Sequence, residues 1–174
     1  TVTVTVAPKL TSISFPNTLE AIGEAAFDQC ANLTDVEFPD SLERIGVYAF
    51  QLCHGLTELS FPEHTVIERW AFADCHGLKK VVLPKNGRTG DEAFARCTNL
   101  TDAEVHGTPT RAVFLDCTAL KNVSIGSDVP SLEGNIFGNC TALTSVHIPG
   151  NVKTMSYTFR GCYNLKDVTM DYGV

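Results

Sequence analysis

The sequence has no long hydrophobic run and no excess of positive charge. No stretch of the 174 residues approaches the roughly 20 consecutive apolar residues that a membrane-spanning helix needs. The 13 Lys and Arg residues are outnumbered by 20 Asp and Glu residues, so the net charge is −7. Nucleic acids and anionic membrane surfaces attract clustered positive charge. The composition therefore argues against nucleic acid as a partner and against membrane insertion.

Closely spaced cysteine pairs are also missing. The seven cysteines are odd in number and include no CxxC or CxC pair, whereas structural zinc sites usually draw their ligands from such pairs. No glycine-rich phosphate loop and no acid–base pair stands out from the sequence. We therefore predict no metal site, no cofactor and no enzymatic activity.

What the sequence does contain is a repeat of 20 to 23 residues. Each repeat places Phe three residues before a Cys and Leu three residues after it, as in residues 26–38, AFDQCANLTDVEF. The repeat cysteines are Cys30, Cys53, Cys75, Cys97, Cys117, Cys140 and Cys162. Self-similarity at this period is typical of a solenoid, in which each coil stacks on its neighbours because it cannot bury its apolar side chains alone.

Two periodicities alternate within each repeat. Phe27, Cys30 and Leu33 recur every three residues, as in a tight helical turn. Val36 and Phe38 recur every two residues, as in a strand with one buried face. We therefore expect all five side chains to share one interior. Stacked cysteines would hold their Cβ atoms parallel rather than converging, so we expect a ladder of buried, reduced thiols.

Two local expectations follow from the repeat. Positive φ is expected just before the repeat Leu, at Asn32, Gly55, Gly77 and Asn99, because Gly and Asn adopt this conformation readily. Residues 85–112 lack most of the apolar residues of the return side, so we expect a local bend or a mobile patch there. Ordinary drift of the repeat is the alternative explanation of that stretch.

Residues 30–50, CANLTDVEFPDSLERIGVYAF, resemble the repeat of BspA-like, treponemal-type leucine-rich repeat proteins. The consensus of that family runs approximately C-x-x-L-x-x-I-x-I-P-x-x-V-x-x-I-G-x-x-A-F, and the resemblance covers residues 10–170. It implies a right-handed leucine-rich-repeat solenoid of about seven to eight coils. Short parallel β-strands would line the concave face, with irregular or 3-10 turns and short extended segments on the return side.

The same resemblance implies an extracellular or cell-surface bacterial protein that binds or adheres to other cells or to host matrix. We expect residues 10–174 to form one solenoid domain. Residues 1–9, which begin TVTVTV, are expected to form a capping strand or the tail of a preceding domain. Because the chain begins at Thr1 rather than Met, we expect a fragment of a longer chain, with the export signal on the missing part.

The outward residues of the concave strands form the first candidate ligand-binding surface, which is polar, acidic and free of aromatic residues. The candidates are Asp35, Glu37, Glu58, Lys80, Asp102, Glu104 and His147. Such a face favours a protein ligand with a basic patch, and a glycan is the other ligand class considered. The alternative function is a purely structural spacer that projects another domain.

Aromatic residues two positions before the repeat Phe form a second candidate surface, with Tyr48 and Trp70 on adjacent coils. Trp and Tyr often anchor interfaces, although packing between coils would also explain them. His54 and His76 are expected to stack, but they lack a third metal ligand and an accessible thiolate. The oligomeric state is not predicted.

Overall fold

A computed structural model describes residues 7–171, in which fifteen short strands follow one another without a helix between them. Each coil contributes a front strand, which follows the repeat Leu, and a return strand, which precedes the next repeat Phe. The front strands are β1 (Ser12–Ile13), β3 (Asp35–Val36), β5 (Glu58–Ser60), β7 (Lys80–Val82), β9 (Asp102–Val105), β11 (Asn122–Ile125), β13 (Ser145–Ile148) and β15 (Asp167–Met170). The return strands are β2 (Ala21–Ile22), β4 (Arg44–Ile45), β6 (Val66–Ile67), β8 (Arg88–Thr89), β10 (Thr108–Pro109), β12 (Ser131–Glu133) and β14 (Thr154–Ser156).

All strand pairs are parallel, and each strand pairs with its equivalent in a neighbouring coil. The front strands form the ladders β1–β3, β5–β7–β9–β11 and β13–β15, and the return strands form β2–β4–β6–β8–β10 and β12–β14. The predicted solenoid is therefore confirmed. The short extended segments expected on the return side pair as strands, because the apolar return residues recur in register: Ile22 lies beside Ile45, and Ile45 beside Ile67.

The interior is a set of columns, each built from one repeat position. The repeat phenylalanines from Phe27 to Phe159 stack in sequence, with ring centroids 5.1 to 5.9 Å apart. The repeat cysteines and leucines form parallel columns, and nearly all are fully buried. The turn of period three is held by local hydrogen bonds, such as those from Cys30 N to Phe27 O and from Leu33 N to Cys30 O. Residues 1–6, most of the predicted capping segment, lie outside the described residues.

All seven cysteines are buried and none is bridged. Six of the thiols donate a hydrogen bond to the carbonyl oxygen of the repeat Phe in the preceding coil, with S···O distances of 3.0 to 3.3 Å. Burial raises the pKa of the Cys53 thiol to about 12, which keeps its donor proton in place. Cysteine is therefore used as a short buried donor as well as a small apolar side chain.

The expected positions of positive φ are wrong. Asn32, Gly55, Gly77 and Asn99 do not have positive φ, whereas the residue before each repeat Cys does, as at Gln29 with φ of 60°. The residue two before each repeat Phe is left-handed as well. Left-handed residues recur within the turn, and its N–H groups donate to carbonyl oxygens of the next coil. Phe27 N donates to Ala49 O, and Gln29 N donates to Gln51 O.

Close contact between coils explains the Asn and Gly residues instead. The Asn32 side chain donates to Pro8 O at 2.6 Å, and the Asn99 side chain to His76 O at 2.7 Å. At Gly55, an added Cβ would lie 2.6 Å from Leu33 O, so only glycine fits without a backbone shift.

The return ladder is continuous across residues 85–112, because β8 and β10 remain paired. One interruption of each ladder falls immediately after this stretch, between β10 and β12 and between β11 and β13, and the front ladder has a further interruption between β3 and β5. Asp128 spans the irregular coil by accepting the Gly107 N–H at 2.7 Å and the Asn86 N–H at 3.1 Å. The expected mobility of residues 85–112 stays a prediction.

Candidate binding surfaces of the solenoid

The front face carries all seven candidate residues of the first surface, with their side chains on the outside. Among the open grooves on this face are one of about 780 Å³ and one of about 500 Å³. Each groove lies across an interruption of the front ladder, the larger between β3 and β5 and the smaller between β11 and β13. The two grooves divide the candidate residues into two groups with different surroundings.

Charges around the smaller groove are largely compensated by their neighbours. Lys80 Nζ lies 3.5 Å from Glu104 Oε1, and the Asn122 side chain donates to Asp102 Oδ1 at 2.7 Å. Hydrogen bonds from the Thr101 hydroxyl and the Asn122 amide lower the pKa of the Asp102 carboxyl. The charges and hydrogen-bonding groups of these residues are therefore already paired with one another in the free chain.

The remaining candidate of this group is His147, which is similarly engaged. Its Nδ1 is 2.9 Å from the Thr169 hydroxyl, and its Nε2 is 3.3 Å from Asp171 Oδ2. All three residues come from the last two coils, and they lie side by side because β13 and β15 pair in register. The candidate residues on the C-terminal half of the front face are therefore polar groups that already have partners within the chain.

Carboxylates around the larger groove have no such compensation. Asp35, Glu37, Asp40 and Glu58 all line this groove and all are exposed. Within residues 7–171 none of them forms an ion pair, and their one side-chain hydrogen bond runs from the Thr34 hydroxyl to Asp35 at 3.2 Å. Lys80 is the register neighbour of Glu58, but its ion pair is with Glu104. Four neighbouring carboxylates of which none is in an ion pair produce a local negative potential, which attracts positively charged groups.

Three phenylalanines border the acidic groove at the repeat position that was expected to lie in the interior, whereas the outward strand positions carry no aromatic residue, as expected. Phe15, Phe38 and Phe61 are only partly buried and stack in a column along the rim, with centroids 6.3 Å apart for the first pair and 5.2 Å for the second. Phe38 packs edge-on against the core ring of Phe50 at 5.8 Å. Since Phe50 already fills the interior, the Phe38 ring reaches the surface.

Later coils show why these phenylalanines differ. The same repeat position is held by Leu83 and Val105, which are smaller and fully buried. Phe at this position in three consecutive coils is a signal that could have been read from the sequence. It was missed because a period-two pattern assigns a side chain to the inside without testing whether the ring fits there.

Tyr48 and Trp70 of the second candidate surface stack on each other, with centroids 5.0 Å apart and ring planes inclined by 13°. The guanidinium carbon of Arg69 lies 4.1 Å from the centroid of the Trp70 ring. Both aromatic residues are partly buried and sit at left-handed turn positions. Because the Trp70 ring already contacts Tyr48 and Arg69, it is poorly placed to receive a ligand.

His54 and His76 stack as expected, with parallel rings 5.0 Å apart. His76 Nδ1 lies 3.3 Å from the Thr98 hydroxyl. In the described part of the chain, no group of three or more His, Cys, Asp or Glu side chains is arranged to hold a metal ion. No helix among residues 7–171 is long and apolar enough to cross a membrane.

Comparisons with known proteins agree with this architecture. The chain is similar in structure to the T. pallidum leucine rich repeat protein TpLRR, with a TM-score of 0.77 and 26% identity over 89% of this chain and 78% of that one. A leucine-rich repeat protein from Eubacterium ventriosum ATCC 27560 gives a TM-score of 0.80 and 22% identity over 88% of this chain and 43% of that one. A leucine rich cell surface protein from Faecalibacterium prausnitzii A2-165 gives a TM-score of 0.58 and 20% identity over 92% of this chain and 60% of that one.

A search of curated protein sequences found no match. The profile of the BspA type leucine rich repeat region, in contrast, matches six copies over residues 6–112 and 110–174. These copies cover nearly the whole chain and contain every coil described above. The chain therefore belongs to the BspA-type leucine-rich repeat family.

Proposed function

We propose that this chain is a non-enzymatic binding module, and that the front face of its first three coils binds a protein ligand with a positively charged patch. The observation that supports this most strongly is the acidic groove, where Asp35, Glu37 and Glu58 are exposed and form no ion pair among the described residues. Elsewhere on the same face, Lys80 and Glu104 compensate each other.

Electrostatic attraction at such a groove acts mainly on the rate of association. A cluster of exposed carboxylates steers a basic partner towards the face, and this effect weakens as salt screens the charges. At 0.15 M salt the screening length is about 8 Å, so the effect extends over the groove itself rather than over the whole chain. Binding should therefore weaken steeply between low and high salt.

A protein ligand is favoured over a glycan by the aromatic residues that the surface offers. Sugar rings would need a free aromatic face, and the Trp70 ring is already in contact with Tyr48 and Arg69. The acidic groove instead offers exposed carboxylates, which pair with Arg and Lys side chains.

The proposed location is the cell surface or the extracellular medium, and it rests on the family rather than on the site. One structurally similar protein, from F. prausnitzii, is called a cell surface protein, but at 20% identity that likeness concerns the fold. Partners would then be host matrix or cell-surface proteins.

Capture from matrix and cell-surface extracts tests the proposal if charge-reversed variants are compared. Asp35→Lys, Glu37→Lys and Glu58→Lys together should abolish the capture of basic proteins by the immobilised chain. The matched control reverses Glu20, Glu43 and Glu133, which are exposed on the return side, and changes the net charge equally. We expect the control to capture the same proteins as the native chain.

A spacer would behave differently in this experiment. If the front-face and return-side variants capture the same proteins in the same amounts as the native chain, the acidic groove is not a binding surface. The purely structural role would then be the better account of the solenoid.

A further inference from the structure

The last described coil of the solenoid differs from the others, because its apolar side chains are exposed. Val168 and Met170 occupy the same strand positions as Val146 and Ile148 one coil earlier. The earlier pair is 5% and 3% exposed, whereas Val168 is 40% and Met170 56% exposed. Among residues 7–171, every large apolar side chain that is exposed lies between residues 155 and 170. The exposed apolar surface is therefore concentrated at one end of the stack.

The backbone of this coil is open at the same end. The front strand β15 pairs with β13, and no strand within the described part of the chain pairs with its other edge. Terminal coils of solenoids usually present a polar outer face, because a free strand edge beside apolar side chains invites a further strand. A strand that docked on this edge would cover Val168 and Met170 and would pair the free N–H and C=O groups of β15.

The distribution of charge favours this end for a contact between two copies of the chain. Residues 1–63 contain nine Asp and Glu residues and two Lys and Arg residues, whereas residues 64–174 contain eleven of each kind. The net charge of −7 therefore belongs to the first coils. From residue 144 onwards, three basic and two acidic residues nearly cancel. Two copies that met through their first coils would repel each other, whereas two that meet through their last coils would not.

We propose that the chain forms a two-fold dimer through its last coil, in which β15 of one copy pairs antiparallel with β15 of the second copy. Closed two-fold contacts are the commonest arrangement of soluble homo-oligomers. Because the acidic groove lies on the first three coils, the dimer would present one such groove at each outer end. The dimer does not depend on the proposed ligand, since it uses the opposite end of the solenoid.

The register of the pair follows from the two faces of the sheet. A two-fold axis perpendicular to the sheet keeps outward side chains outward in both copies, so directly opposite residues share a face. The central residue of the overlap is then Val168 or Thr169. An axis at Thr169 would place Asp167 opposite Asp171 of the second copy, which is unfavourable because the charges are alike. With the axis at Val168, Asp167 lies opposite Thr169 of the second copy, and the two Val168 side chains face each other.

The first test is the mass of the native full chain in solution. Sedimentation velocity at about 1 to 200 µM covers the range in which a small interface dissociates. We expect a concentration-dependent shift from one chain to two, and no larger species, because the two-fold contact occupies the free β15 edge of both copies. The shift should persist at high salt, since salt screens charges but not apolar contacts.

Opposite charges at Val168 test the position of the axis. Val168→Lys and Val168→Glu each place two like charges opposite each other, so each variant alone should self-associate about tenfold or more weakly than the native chain. An equal mixture of the two variants pairs Lys with Glu across the axis and should restore the dimer. Because Val168 is exposed in the single chain, both variants should fold, which thermal unfolding checks.

Matched controls add the same charges away from the proposed interface. Thr118 is exposed on a central coil, so Thr118→Lys and Thr118→Glu should dimerise like the native chain. A native chain that stays monomeric at every concentration overturns the proposal. Species that grow beyond two chains and dissociate in salt would indicate a head-to-tail contact instead. Dimers that survive in both Val168 variants, or a mixture that does not restore them, would contradict the two-fold contact at β15.

A measurement on the native chain covers the case in which the Val168 variants do not fold. In a mixture of isotope-labelled and unlabelled chains, cross-relaxation between the Val168 methyl groups of the two copies should be observed. Amide exchange at residues 167–170 should also slow as the concentration rises. A dimer that shows neither signal would have its interface elsewhere, and the proposal would be wrong.

Discussion

The Cys75 thiol donates a hydrogen bond to the Phe50 carbonyl oxygen, 3.2 Å away in the preceding coil. This contact recurs from coil to coil and explains why a cysteine occupies the same repeat position throughout. A thiol at this point fills a small apolar space and supplies a donor for a carbonyl that would otherwise be only partly satisfied.

Replacing Cys75 by Ala should lower the free energy of unfolding by about 1–3 kcal/mol, because the hydrogen bond is lost and a small cavity remains. Urea-induced unfolding measures the difference. Cys162→Ala is the comparison: it removes the same kind of hydrogen bond, but Cys162 is 8% exposed in the last described coil, so the loss should be smaller. A Cys75→Ala variant as stable as the native chain would show that the thiol hydrogen bond has no structural role.

Stability should fall in alkaline solution because burial raises the pKa of the thiols. The unfolded Cys53 thiol loses its proton near the ordinary pKa of 9.0, whereas the folded one keeps it up to about 12. The stabilisation is complete below pH 9 and is lost progressively between these two values. Unfolding free energies measured from pH 8 to 11 test this, and Cys53→Ala should reduce the slope. An identical slope in that variant would rule out a contribution from Cys53.

Acid should weaken the contacts that Asp128 makes between coils, with Asn86, His106 and Gly107. The residue is partly buried, which alone would raise its pKa, but its bonds with His106, Gly107 and Asn86 lower the pKa to about 2. Because the folded pKa lies below the ordinary 3.8, stability is present above that value and is lost as the pH falls towards 2. Asp128→Asn should remove most of this dependence.

A matched control for Asp128 is Glu133→Gln, since Glu133 is exposed and pairs with no cation among the described residues. Amide exchange of Asn86 and Gly107 should accelerate only in Asp128→Asn, because Asp128 accepts both of their N–H groups. Unchanged exchange at these two amides would mean that the hydrogen bonds to Asp128 do not stabilise this coil.

Residues 85–112 should exchange their amide protons faster than residues 17–47. Thr89 is buried at a position where earlier coils have Ile, and its hydroxyl has no hydrogen-bond partner within residues 7–171. A buried, unsatisfied hydroxyl costs stability, so this return segment should open more readily. Hydrogen–deuterium exchange measures this directly, and equal rates in the two stretches would contradict it.

The repeat made the architecture predictable, because Phe27, Cys30 and Leu33 can be buried only against their equivalents in adjacent coils. The left-handed positions were not predictable in the same way. Residues such as Leu52 and Trp70 do not favour positive φ, and they adopt it because hydrogen bonds to the next coil require it. Residue type is a weak guide where the neighbouring coil determines the backbone.

The candidate surface could be predicted only in outline. Alternation along the strands placed Glu37 and Glu58 outside, but it did not reveal that Lys80 and Glu104 pair across coils. It also assigned Phe38 to the interior, since the pattern contains no information on the volume that the core ring of Phe50 already occupies. Compensation of charge and exposure of rings depend on contacts between coils, which a single repeat does not show.

The most direct test of the binding site is an amide-exchange footprint of a short basic peptide with blocked ends on the full chain. We predict slower exchange at residues 35–40 and 58–62 in the bound state, with no change at the return strands β4 and β6. Protection confined to residues 122–124 and 145–147, or to the return face, would contradict the placement of the site on the first three coils.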